Sequence, residues 1–312
     1  MSIATPAQTP VVRADRVGAQ SLVDRTSDYV EMCRPRIAVM TMAAVSAGFI
    51  LASPIIIHWG LLAVTLAGIL LLVAASSILN QVLEVRTDAR MQRTTGRPLI
   101  SGRISRLEAS LAGLLFALSG IGILWSFTNP VTTVAGAGTL LCYVLAYTPL
   151  KIRSSLCTTV GALPGAMPPV IGWLAAGGAA GSGAWSLFAL LFTWQFPHFL
   201  AIGWIYRHEY EQAGLRMLPS FSDGGRRTGI VATIYAAAFV PVSLLPSYAG
   251  LTGRLYFAVA LALSGLYFAA TLRFALNRTT RRGRDLLLVS LLILPALLLV
   301  MVCEFLYLTA LG

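Results

Sequence analysis

Long apolar stretches separated by short polar segments make up most of this sequence. A membrane-spanning helix needs about 20 consecutive, mostly apolar residues. Nine stretches meet this requirement, and they run approximately over residues 37–57, 61–82, 107–126, 131–149, 157–176, 185–206, 229–249, 253–273 and 286–311. Because irregular backbone cannot face lipid, the pattern predicts an all-α, polytopic membrane bundle of nine transmembrane helices.

Composition agrees with this prediction. The chain is 57% hydrophobic and 11% charged, with a mean hydropathy of +0.77, whereas soluble domains contain about 25% charged residues. Residues 1–30 are polar and contain no apolar core of the signal-peptide type. We therefore expect a flexible cytoplasmic tail over residues 1–30, ending in a short interfacial helix near Leu22 to Met32, and a transmembrane domain over residues 31–312.

Basic side chains are concentrated in the tail and in every second connection between the apolar stretches. With nine spans, these segments lie on one side of the membrane, and only Arg254 lies on the other. The positive-inside rule then predicts a cytoplasmic N-terminus and an outside C-terminus in a bacterial-type cell membrane. Topology and the anionic inner leaflet account for the net charge of +11, so nucleic acid is not needed as a partner.

Candidate chemistry lies at the end of the second apolar stretch. Asn80, Glu84 and Asp88 are spaced four residues apart, which places them on one face of a helix over roughly 12 Å. Arg93 and Arg97 follow closely. Carboxylate oxygens bind Mg²⁺, and guanidinium groups bind phosphate. The pattern indicates a site for a metal-bridged diphosphate on a membrane-embedded substrate.

The continuation of this pattern resembles a known family. Asn80-x3-Glu84-x3-Asp88, followed by Arg93-Thr94 and Arg97-Pro98-Leu99, is similar to the UbiA superfamily of intramembrane prenyltransferases. The family usually has Asp where this chain has Glu84. Glutamate keeps the charge and the oxygen ligands but moves the carboxylate outward by one methylene group.

Further motifs resemble one branch of that superfamily, the protoheme IX farnesyltransferases, and the resemblance covers roughly residues 30–300. They are Arg34-Pro35-Arg36, Tyr147-Thr148-Pro149-Leu150-Lys151-x-Arg153, the Gly- and Pro-rich run from Gly161 to Trp173, Trp194-Gln195-Phe196-Pro197-His198-Phe199, and the run from Glu209-Tyr210 to Pro219.

The resemblance implies a reaction and its participants. Farnesyl diphosphate would supply a farnesyl group to a vinyl group of heme b, giving heme O and diphosphate by Mg²⁺-assisted allylic ionisation. The expected partners are farnesyl diphosphate, heme b and the lipid bilayer. A heme A synthase or a terminal oxidase assembly factor is a further candidate partner.

The resemblance also suggests a role for each matching residue. Asn80, Glu84 and Asp88 would hold one Mg²⁺, and Glu209, with Glu211 as a weaker candidate, would contribute to a second metal site. Diphosphate would be bound by Arg93, Arg97, Lys151 and Arg153. Tyr147 would face the allylic cation or orient the diphosphate, and His198 would contact the heme. Catalysis is expected to depend on Asn80, Asp88, Arg97, Lys151 and Tyr147.

Other interpretations remain open from sequence alone. A sister enzyme that prenylates a quinone precursor or a chlorophyll-type acceptor would have the same metal chemistry, and an anion or lipid transporter is a further alternative. The basic residues also satisfy the positive-inside rule without any ligand. Similarly, His198 could be a neutral histidine that is hydrogen-bonded across helices. Glu304 has no role that its sequence position indicates.

Overall fold

The computed structural model describes residues 22–53, 55–220 and 223–311, and these residues contain helices but no strand. The predicted all-α fold is confirmed. The helices are α1 (Leu22–Met32), α2 (Pro35–Leu51), α3 (Trp59–Asp88), α4 (Arg106–Phe127), α5 (Pro130–Leu141), α6 (Thr148–Leu150), α7 (Cys157–Ala175), α8 (Ser182–Ile205), α9 (Arg207–Gln212), α10 (Arg226–Val242), α11 (Leu245–Tyr248), α12 (Arg254–Leu276) and α13 (Thr280–Leu311). A π-helical segment, Cys142–Tyr147, joins α5 to α6.

Each predicted apolar stretch overlaps one of these helices or a run of them. Within the described part of the chain, seven helices are long and apolar enough to cross a membrane. The number is eight if α1 and α2, which are bent by 53° relative to each other, are counted together as one span. The helix α7, whose 19 residues include three prolines, is not among these candidate spans. The count of nine spans therefore stays a prediction.

The first helix coincides with the predicted interfacial helix. Residues 1–21 of the predicted tail lie outside the described residues. Gln81 of α3 donates to the carbonyl of Met32 at 2.8 Å, and Tyr29 donates to Glu108 of α4 at 2.8 Å. These bonds fix α1 against the start of the bundle, beside the C-terminal end of α3.

Two apolar cores lie on opposite sides of α2 and α7. Ala44 and Ala47 of α2 face a core formed with α8, α10, α12 and α13, whereas Val45 faces a core formed with α3, α4 and α5. Glycines allow α2 and α7 to touch between the cores. A Cβ atom at Gly48 would lie 1.9 Å from the carbonyl oxygen of Pro169, so only glycine permits this approach.

The loops that follow α3, α6, α8 and α12 meet at one end of the bundle, called here the basic end. At the opposite end, Glu304 of α13 accepts hydrogen bonds from the backbone N–H groups of Gly253, Leu255 and Tyr256, each at 2.9 Å. These donors belong to the first turn of α12, where a carboxylate complements the helix dipole. Glu304 thus joins α13 to the start of α12.

Candidate functional site

The predicted polar row lies on the last turns of α3, at the basic end. Asn80 and Asp88 are 0% and 1% exposed, and the Glu84 side chain is 12% exposed. A solvated helix end would leave these groups in water. Because buried polar groups need partners, their contacts determine what the row can do.

Glu84 forms an ion pair with Lys151, as its Oε1 accepts a hydrogen bond from Lys151 Nζ at 2.7 Å. Lys151 follows α6, and its Nζ also lies 4.5 Å from the centre of the Tyr147 ring. Burial lowers the pKa of Lys151, but the Tyr147 phenol and the Glu84 carboxylate outweigh this effect, so the pKa stands above its ordinary value. Lys151 therefore carries a full positive charge in a mostly buried position.

Asp88 pairs with Arg97, which reaches back from the loop between α3 and α4. Thr94 fixes this loop by donating from its hydroxyl to the carbonyl oxygen of Asp88 at 2.6 Å. Burial lowers the pKa of the Arg97 guanidinium, and the nearby Arg34 adds to this effect, while Asp88 opposes it. The Arg-Pro-Leu motif thus brings a second buried cation to the row.

Asn80 connects the row to two further helices. Its Nδ2 donates to Thr148 Oγ1 at 3.0 Å, and its Oδ1 accepts from Arg34 Nη2 at 3.3 Å. Arg34 has a φ of 52°, and no other non-glycine residue in the described part of the chain has a positive φ. The sequence predicts Arg34 only as part of the positive-inside pattern and of the Arg-Pro-Arg motif. Its contact with Asn80 could not be predicted, because neither this contact nor the backbone conformation of Arg34 has a local sequence signature.

The second acidic segment also reaches the loop after α3. Glu209 Oε2 accepts a hydrogen bond from the backbone N–H of Arg93 at 3.2 Å. The Arg93 guanidinium lies 5.2 Å from the ring centre of Tyr206 and 5.9 Å from that of Tyr210. These contacts bring Glu209 and Arg93 together at the basic end.

Two of the predicted residues lie apart from this network. Arg153 and Glu211 are exposed, and among the described residues neither side chain has a hydrogen bond or ion pair. Their predicted roles in binding diphosphate and metal have no support from contacts with the row.

His198 lies inside the bundle, 9% exposed. Its Nδ1 is hydrogen-bonded with Ser290 Oγ of α13 at 2.8 Å, and its ring stacks on that of Trp194 with 4.9 Å between the centres. Trp194 Nε1 in turn donates to the carbonyl of Ser290 at 3.0 Å. The contacts thus match the alternative of a histidine hydrogen-bonded across helices, and leave Nε2 as the ring atom through which His198 could contact a ligand.

The oxygen donors of Asn80, Glu84 and Asp88 suit Mg²⁺ in kind. In the described part of the chain, however, no group of three or more His, Cys, Asp and Glu side chains converges as a preformed metal site. The carboxylates of Glu84 and Asp88 hold Lys151 and Arg97 instead. The residues fit a hard cation once these two basic side chains take other anionic partners.

Comparison with known proteins places this geometry in a family context. The sequence profile of the UbiA prenyltransferase family matches residues 40–292. The chain is 41% identical over 277 residues to the protoheme IX farnesyltransferase of Solibacter usitatus (strain Ellin6076), covering 86% of this chain and 95% of that protein. It is 39% identical over 307 residues to the protoheme IX farnesyltransferase of Koribacter versatilis (strain Ellin345), covering 95% and 98%.

Solved structures share the fold at low sequence identity. A digeranylgeranylglyceryl phosphate synthase has a TM-score of 0.77 at 16% identity, covering 91% of this chain and 99% of that one. A UbiA homolog from Archaeoglobus fulgidus, bound to GPP and Mg²⁺, has a TM-score of 0.61 at 17% identity, covering 88% and 99%. These likenesses confirm the architecture of the helical bundle.

Proposed function

The chain belongs to the UbiA prenyltransferase family, and from this premise we propose that it transfers the farnesyl group of farnesyl diphosphate to a vinyl group of heme b, giving heme O and diphosphate. The observation that carries the proposal is the largely buried row of Asn80, Glu84 and Asp88 with its two mostly buried cations, Lys151 and Arg97. The choice of heme as the acceptor is supported by relatives that share about two fifths of their residues over nearly their whole length.

The basic residues of the site bind the diphosphate. Lys151 and Arg97 exchange their carboxylate partners for diphosphate oxygens, and Arg93 and Arg153 approach from the two neighbouring loops. A guanidinium presents a planar fork of donors to phosphate, whereas the ammonium of Lys151 acts as a compact point charge. The charge that develops on the leaving diphosphate is stabilised by groups that are already in place.

The exchange frees the oxygen ligands for metal. Asn80, Glu84 and Asp88 would then hold one Mg²⁺, and Glu209 would contribute to a second site beside Arg93. When bound, Mg²⁺ supplies Lewis-acid stabilisation of the departing diphosphate. A bound Mg²⁺ in a UbiA homolog of the same fold supports this requirement.

Tyr147 is the residue we assign to the allylic carbon. A Cβ atom at Gly161 of α7 would come within 2.6 Å of the Tyr147 ring, so the glycine leaves room for the ring to pack there. The aromatic face that lies against Lys151 can equally stabilise the allylic cation that forms when the carbon–oxygen bond breaks. The apolar bundle excludes water until the vinyl carbon attacks.

The reaction ends with the addition of water to the prenylated vinyl group. The vinyl carbon bonds to the farnesyl cation and leaves a new cation beside the porphyrin ring. Water adds to this carbon and loses a proton, which gives the hydroxyethylfarnesyl group of heme O. His198 is the residue we assign to contact with the heme.

The same basic end sets the orientation. The positive-inside rule places it, and the N-terminus, in the cytoplasm of a bacterial cell, and the C-terminus outside. Diphosphate and Mg²⁺ are then available on the side where the row lies. A heme A synthase or a terminal oxidase assembly factor is the partner we expect to receive the product.

A cell-free assay tests the proposal. Membranes containing the chain receive heme b, farnesyl diphosphate and Mg²⁺, and heme O is measured by mass spectrometry. Wild type should produce heme O, and Asp88→Ala should not. Normal heme O production by Asp88→Ala contradicts the metal assignment, whereas a prenylated quinone precursor in place of heme O contradicts the acceptor.

A further inference from the structure

An open groove of about 400 Å³ lies between α10 and α12 at the basic end. Its volume falls within the range of about 300–1,000 Å³ that is typical of small-molecule sites. The helices touch at its base, where a Cβ atom at Gly229 would lie 3.1 Å from the Cα of Ala275. The groove faces the outside of the bundle and is separate from the Asn80, Glu84 and Asp88 row.

The walls of the groove are apolar and exposed. Ile230, Ile234 and Leu276 line it and are 49%, 60% and 76% exposed. They belong to two helices long and apolar enough to cross a membrane. Lipid chains are therefore the natural surroundings of these side chains.

Two arginines flank the polar end of the groove. Arg226 is the first residue of α10, and Arg278 lies just beyond the end of α12. Arg278 is held in place, because its Nε donates to the carbonyl of Gly224 at 2.9 Å and its Nη1 to that of Ala275 at 2.6 Å. The Arg226 side chain is exposed and has no ion pair within the described residues.

None of the residues lining the groove is acidic. The nearby Asp223 is occupied, since it accepts a hydrogen bond from the backbone N–H of Gly225 at 3.0 Å and lies 3.7 Å from Arg227 Nε. The Arg226 guanidinium and the Nη2 group of Arg278, whose Nε and Nη1 hold the backbone, thus remain available for an external anion. Because each stands at the end of a candidate span, that anion would lie at the depth of lipid phosphates.

We propose that this groove binds one anionic phospholipid, with its phosphate between Arg226 and Arg278 and an acyl chain along Ile230 and Ile234. Arginine favours phosphate through paired N–H donors. The positive-inside rule alone would place arginines at these helix ends, but it does not require a preformed apolar groove between them. The combination distinguishes a defined lipid site from a general basic surface.

The test is lipid binding to the full chain in detergent, followed by native mass spectrometry with phosphatidylglycerol and phosphatidylcholine. Wild type should retain phosphatidylglycerol in preference to phosphatidylcholine. Each basic residue near an anionic membrane surface contributes roughly fivefold to binding. The variant Arg226→Gln/Arg278→Gln should therefore bind phosphatidylglycerol roughly 25-fold more weakly.

Two further variants keep the test decisive. Arg281→Gln/Arg284→Gln removes the same charge from exposed positions of α13 at the same end and should bind as wild type does. Ile230→Trp fills the groove while leaving both arginines intact, and it should lose phosphatidylglycerol without a loss of thermal stability.

Several results would overturn the proposal. Equal losses in the two double-arginine variants would indicate general surface charge, and competition by glycerol phosphate would indicate a soluble phosphate ligand. Unchanged binding by Ile230→Trp would exclude the groove. A dimer seen by light scattering that Ile230→Trp dissociates would show that a second copy of the chain covers this face instead.

Discussion

Replacing Glu84 by Gln should destabilise the fold and stop farnesyl transfer, and a second substitution should restore only the stability. Glu84 and Lys151 are 12% and 13% exposed, with 2.7 Å between the paired atoms. Removing one partner of a buried ion pair costs about 3–5 kcal/mol because the other charge stays buried without compensation. Slight exposure of both groups favours the lower value, about 3 kcal/mol, or a fall in Tm of about 6–9 °C.

The double variant Glu84→Gln/Lys151→Gln removes both charges. Its two amides can hydrogen-bond to each other, so its stability should return to within about 1 kcal/mol of wild type. Its turnover should stay at least about 100-fold below wild type, because the metal ligand and the diphosphate-binding cation are both gone. Glu211→Gln is the matched control, since this exposed acid at the same end should change stability by less than about 0.5 kcal/mol.

The measurements are thermal unfolding of the protein in detergent and heme O production in membranes. Wild-type stability in Glu84→Gln would show that the pair does not form. Recovery of turnover in the double variant would show that Glu84 serves only to neutralise Lys151, and the role of Glu84 as a metal ligand would then be wrong.

Three further predictions concern other parts of the molecule. Asp88→Asn should lower heme O production by about 100- to 1,000-fold. It should also abolish the Mg²⁺ dependence of farnesyl diphosphate binding, measured by calorimetry, and strong Mg²⁺-dependent binding by this variant would contradict the role of Asp88 as a metal ligand. Glu304→Gln weakens charge-assisted bonds to a helix start, so unfolding should show a loss of about 2 kcal/mol, with kcat and KM unchanged at temperatures where the fold persists. Gly48→Ala would place its Cβ atom 1.9 Å from the Pro169 carbonyl oxygen and should cost at least about 2 kcal/mol in thermal unfolding, whereas Gly60→Ala, with open space around it, should be stable.

Much of the fold follows from the length of the apolar stretches. The third stretch, predicted over residues 107–126, is α4, Arg106–Phe127, because few residues other than apolar ones can face lipid over that length. The spacing of Asn80, Glu84 and Asp88 predicts a shared helix face, since a four-residue step is close to one helical turn. The spacing of polar residues and the hydropathy of a stretch depend only on residues close together in the sequence, so both can be predicted from it.

Contacts between distant segments could not be predicted in the same way. Glu304 binds backbone N–H groups about 50 residues earlier in the chain, and backbone donors have no sequence signature. The motifs brought basic and acidic residues to one region, but the pairing of Glu84 with Lys151 and of Asp88 with Arg97 depends on helix packing. The left-handed conformation of Arg34 likewise arises from the tertiary bend between α1 and α2.

The π-helical segment Cys142–Tyr147 makes the site depend on the number of residues in a helix as well as on their identity. A π turn closes five residues apart instead of four, and each residue of an α-helix advances about 100° around the axis. Deleting one residue from this segment would remove no charge and leave the span long enough for the membrane. It would nevertheless rotate Lys151 by about a quarter of a turn, away from Glu84. Substitutions at the positions of this segment before Tyr147 should therefore be tolerated far better than deletions.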